Sequence, residues 1–258
     1  MIGVLAIAVT LIAAVLLLHP RLVGSPHWRA ISTPLASIIG SGFLVSVPIL
    51  RDLSGSWATA LMAGLLLMAY FVGAAVRHNI LHVGPLLNDG QAGRPILSLE
   101  RMSHAALAFA YFVSVAYYLV LFSTFLLKPL GIADGTDIKL IVSVCLALIA
   151  VVGLLRGFGA EEKLEIYAVS IKLAVIGGLL AALIVYALTH VFNGGVSTVP
   201  GHFEAKNLPV LLGLLIVVQG FETSRFLGDA YPAELRIRTM KQAQLLSAAI
   251  YLAFFLAM

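Results

Sequence analysis

The chain has 258 residues, of which 61% are apolar and 11% charged, with a formal net charge of +4 and a mean hydropathy of +1.04. Soluble domains carry roughly 45–50% apolar and about 25% charged residues, so lipid must solvate most of these side chains, and no stretch is long and polar enough for a soluble domain. The one cysteine, Cys145, lies in an apolar run; it excludes a disulfide framework and reads as a small core residue.

A spanning helix needs about 20 mostly apolar residues. Eight stretches qualify or nearly qualify in chain order: 2–19, 33–50, 57–76, 103–127, 138–155, 166–189, 208–224 and 240–258. They are apolar on all sides and about twice the length of a barrel strand, which predicts an all-α polytopic bundle. The first run lacks a basic leader and a small-residue cleavage site, so it reads as a retained extra helix rather than a signal peptide.

The second run, TPLASIIGSGFLVSVPIL, carries Gly40, Ser41 and Gly42 near its centre, with Pro34 at the entry and Pro48 at the exit. Two glycines around a serine weaken a helix by about 1 kcal/mol each relative to alanine. They allow either an opened backbone, tolerated at membrane depth only against protein or a wet cavity, or close helix packing. In the sixth run Lys172 sits roughly 9 Å inside the apolar stretch, either snorkelling to the interface or facing the bundle as a proton-exchanging ammonium. The seventh run reaches Gln219-Gly220-Phe221-Glu222 before it resumes. An ionisable group there is either a functional group within the bilayer or, with Arg225, an interfacial ion pair.

Eleven basic residues fall in one alternating set of connectors: Arg21, Arg29, Arg77, Arg94, Arg101, Arg156, Lys163, Arg225, Arg236, Arg238 and Lys241. Four fall in the other set, Arg51, Lys128, Lys139 and Lys206. The richer side is cytoplasmic, which places the N-terminus outside. The chain ends at Met258 within an apolar run, so it is expected to be the front part of a longer protein.

Three stretches carry a family likeness: IIGSGF, RGFGAEEKLEIYAVSIKLAVIGGLL and QGFETSRFLGDAYPAELRIRT. In this order and spacing the chain resembles the amino acid–polyamine–organocation (APC) transporter superfamily over residues 33–258. The resemblance implies a five-plus-five inverted-repeat fold in a bacterial inner membrane. Residues 1–32 would be an extra N-terminal helix and loop, 33–192 the first repeat, and 193–258 the first two helices of the second. It departs from the family in that extra helix, in a lone Asp229 where adjacent acids are usual, and in lacking the last three helices of the second repeat.

The resemblance further implies a permease for amino acids or related small organic amines, proton-coupled or exchanging, without a cofactor. Its substrate site would be built from Ile39, Gly40, Ser41, Gly42, Phe43, Gln219, Gly220, Phe221 and Glu222, with Lys172 and Glu222 as ion-coupling groups. Amides near Ser41, Gly42 and Phe43 would hold a substrate carboxylate, and carbonyls near Ile38, Ile39 and 219–221 its ammonium.

Two rivals remain at this level. A membrane subunit of a larger proton-translocating or respiratory complex would also carry an intramembrane Lys or Glu, but it gives no reason for the Gly-Ser-Gly break. His78 and His82 share a helical face near His104, yet no acid lies between them as a metalloprotease motif requires, and they read as interfacial residues. No phosphate-binding loop occurs, and the basic residues are too scattered for nucleic acid.

Overall fold

The computed structural model describes residues 2–40, 42–131, 135–156, 161–193 and 200–258. Among these residues the chain is helical and has no strand. The helices are α1 (Ile2–Leu17), α2 (Pro20–Val23), α3 (Pro26–Ile38), α4 (Gly42–Ser54), α5 (Ala58–Asn88), α6 (Arg94–Leu127), α7 (Gly135–Arg156), α8 (Glu161–Phe192), α9 (Leu208–Gly213) and α10 (Ala233–Ala257). Tighter 3-10 segments cover Leu214–Val217 and Phe221–Leu227. Among the described residues each of the eight predicted stretches is therefore helical for most of its length.

Among the described residues five stretches are long and apolar enough to cross a membrane: Pro26–Asn88, Arg94–Leu130, Glu165–Phe192, Ala205–Leu227 and Ala233–Ala257. The first is 63 residues long and contains two of the predicted spans, 33–50, which is interrupted near residue 40, and 57–76, which follows a turn near residue 55. α1 is a shorter apolar helix.

Several helices outrun their apolar cores. α5 and α6 continue to Asn88 and from Arg94, leaving only five residues between them where the sequence suggests a long loop. Beyond the hydrocarbon a polar sequence can stay helical, because its backbone bonds are already made within the helix. Pro34 and Pro48 lie inside α3 and α4 rather than at their ends. α3 starts instead at Pro26, where a missing N–H costs nothing.

The chain divides into two compact units, residues 1–81 with 162–258, and 82–161. In the smaller unit α6 packs on α7. In the larger, α3 packs along α10 and against the segment 221–227. Its core gathers Leu35, Ile38, Phe43, Met240, Tyr251 and Phe255, all essentially inaccessible. Lipid is as apolar as these side chains, so close packing and hydrogen bonds, rather than escape from water, hold the helices together.

Candidate functional site

The first interruption follows directly from the glycines. α3 ends at Ile38, Ile39 leaves helical geometry at φ −93°, ψ 73°, and a new helix begins at Gly42. Ser41 lies outside the described residues. A helix end leaves its last carbonyls without intrahelical partners, and the larger unit supplies substitutes. The Lys172 ammonium on α8 donates to the Ala36 carbonyl at 2.9 Å. The amine is thus turned toward α3. Phe43, at the start of α4, is buried against Tyr251 and Phe254, with ring centroids 5.1 and 4.5 Å away.

The second interruption is a change of pitch followed by a reversal. α9 tightens into Leu214–Val217, and Gly220 then adopts φ 109°, ψ −12°, a conformation open to glycine and costly for other residues. Its backbone is occupied on both sides. The N–H donates to Glu222 Oε2 at 2.8 Å, and the carbonyl accepts from the Thr223 hydroxyl at 2.6 Å. Glu222 is buried. It lies in the first turn of the segment 221–227, where an anion is favoured by the exposed amides.

The two interruptions touch. A Cβ on Gly220 would collide with Ser37 and with the backbone at Ile38, so only glycine lets the second break rest on the end of α3. Tyr251, fully buried on α10, joins them: its hydroxyl lies 2.7 Å from the Val217 carbonyl and 3.3 Å from the Ile38 carbonyl. It donates its proton at the shorter distance, with the second carbonyl in reach. Of the predicted residues, Ile39, Gly40, Gly42, Phe43, Gln219, Gly220, Phe221 and Glu222 thus lie at two breaks in direct contact. Tyr251 is absent from the sequence-based site, because a tyrosine in an apolar run carries no signal of its partner.

A cavity of ≈ 160 Å³ opens beside the second break, lined by Met68, Ala69 and Val72 of α5 with Val218, Gln219 and Phe221 among others. Further along the α5–α10 contact, Arg77 donates to the Gln244 side-chain oxygen and stacks over Tyr70, 4.8 Å from the ring centroid. The Gln244 amide donates to the Ala69 carbonyl at 2.9 Å, and Gly73 leaves room for it. In the smaller unit His104 pairs with Glu100 at 3.0 Å. No group of three or more metal-ligating side chains occurs among the described residues.

Long apolar helices, two of them interrupted in mid-course and tied to each other, define a multi-pass membrane protein with the broken-helix plan of a transporter. The chain belongs to the APC superfamily of transporters: a family model described as an APC superfamily transporter matches residues 20–258. It is also similar to an uncharacterized protein of Aquifex aeolicus (strain VF5), 39% identical over 241 residues that cover 92% of this chain. The chain spans 58% of that relative's length. No solved structure matches it.

Proposed function

We propose that the full-length protein is a secondary active permease for amino acids or related small amines, crossing a bacterial inner membrane with its N-terminus outside. Under this reading all eight stretches span, residues 33–192 form the first repeat, and 193–258 begin the second. The contact between the two interrupted helices carries the reading, because a simple anchor or a packing subunit needs no broken backbone within lipid. The substrate carboxylate sits at the N-terminal end of α4, at the Gly42 amide, where the helix dipole favours an anion. Carbonyls of the interrupted segments receive its ammonium.

The geometry also supports a side-chain class. The cavity beside Gly220 is walled by Met68, Ala69, Val72, Val218 and Phe221, and the Glu222 carboxylate is engaged by the Gly220 amide. An uncharged aliphatic side chain therefore suits the site better than a cationic one. Lys172 is the coupling group of this reading, because losing its proton weakens the charge-assisted bond that holds the end of α3.

The test is uptake by the full-length protein in proteoliposomes, across a panel of amino acids and small amines, with and without a proton gradient. Aliphatic amino acids are expected to accumulate, and Lys172→Met to abolish the dependence on the gradient. A panel with no transported member would defeat the permease reading; an unchanged pH profile in Lys172→Met would defeat only the coupling role.

A further inference from the structure

Several buried hydroxyls of the larger unit are satisfied within their own helix. Ser32, Ser46 and Ser54 each donate to a carbonyl three or four residues behind, the usual accommodation of serine in an apolar helix. Three others, Ser170, Ser224 and Ser247, are fully inaccessible and their Oγ atoms bond to no protein group; Ser247, on α10, also lines a cavity. An unmade hydrogen bond at a buried hydroxyl costs about 1–3 kcal/mol, so such a group calls for a partner.

The surroundings supply room for one. Ser247 lines a cavity of ≈ 10 Å³ together with Ile38, Leu66, Ala69, Val218 and Gln244. A single water needs about 10–15 Å³ of such space and two to four polar partners. Ser247 offers a donor and an acceptor. The Gln244 amide has committed one N–H to Ala69 and its oxygen to Arg77, which leaves it a second N–H and a second lone pair. Ile38, the last residue of α3, contributes a carbonyl with a lone pair beyond the one facing Tyr251.

We propose that this cavity is a binding site for one internal water, anchored by Ser247 and Gln244 where the two interrupted helices meet α10. The space is too small for an organic ligand, and no carboxylate lines it to hold a cation. Gln244, Ser247 and Tyr251, spaced three and four residues apart, then form one polar stripe on α10 that reaches from Arg77 to the break carbonyls. If the transporter reading above holds, the water is an exchangeable partner that lets the helix ends shift without baring backbone to lipid.

Two measurements test the site on the full-length protein, and neither requires transport, so they stand or fall apart from the substrate reading. A structure determined at a resolution that shows ordered solvent should place density within about 3.2 Å of Ser247 Oγ; a dry cavity there overturns the proposal. Ser247→Ala should lower the melting midpoint in detergent by a few degrees, because the water loses its anchor. In a dry cavity the same change removes an unpaired hydroxyl, so a midpoint that holds or rises also overturns it. If Ser247→Ala does not fold, Ser247→Thr keeps the hydroxyl and the density decides.

Discussion

Glu222 shows how a single acidic side chain can be placed in an apolar helix for two opposite reasons. Its carboxylate accepts from the amide of Gly220, two residues earlier, and so closes a break that would otherwise expose a bare N–H. A proton carrier at the same position would instead act through loss and gain of its charge. Substitution separates the two. Glu222→Gln keeps an oxygen for the Gly220 amide and should cost less than about 1 kcal/mol, whereas Glu222→Ala should cost about 1.5–3 kcal/mol, the range for hydrogen bonds to charged groups. Thermal midpoints of the purified variants measure this difference. Proton-driven uptake that survives in Glu222→Gln would assign the residue to the break, and its selective loss in a stable variant would assign it to coupling. The run QGFE announces a special residue from sequence alone, but the bonded partner depends on the positive φ of Gly220, which no spacing encodes.

At the scale of elements, glycine made the two breaks legible. Gly40 and Gly42 flank the end of α3, and Gly220 ends the tightened turn of the seventh stretch. Their direct contact was not legible, because it depends on packing between stretches about 180 residues apart. Nor was the function of α10, where neither Gln244 nor Tyr251 announces its partner in the sequence. Sequence patterns report the average polarity of a helix face, while these residues act through single atoms. Tyr251→Phe isolates that contribution, since it removes one oxygen, keeps the ring against Phe43 and takes the hydroxyl donor from the Val217 carbonyl. The expected cost is about 1–2 kcal/mol, or about 2–8 °C in melting midpoint. A midpoint equal to that of the parent protein would show that the hydroxyl does not tie the breaks together.

For the whole molecule, the decisive quantity is the parity of membrane crossings, and it follows from charge rather than from helix geometry. The connectors carry eleven basic residues on one alternating set and four on the other, a bias that orients chains toward the cytoplasm. A missed or invented crossing would scramble that alternation. Under the proposed topology Gln91, in the short turn between α5 and α6, is expected on the cytoplasmic side and His202, ahead of α9, on the outer side. Both are exposed. Cys145 is the sole cysteine, so Cys145→Ala gives a thiol-free background in which Gln91→Cys and His202→Cys can be probed one at a time. In right-side-out vesicles an impermeant maleimide should label His202→Cys at once and Gln91→Cys only after permeabilisation. Labelling of both from the same side would mean an even number of crossings between residues 91 and 202 instead of the three proposed. The amides of α4 and the segment after Gly220 would then no longer have the opposed orientations that an inverted repeat demands, and the alternating-access reading would fail even with both breaks in place.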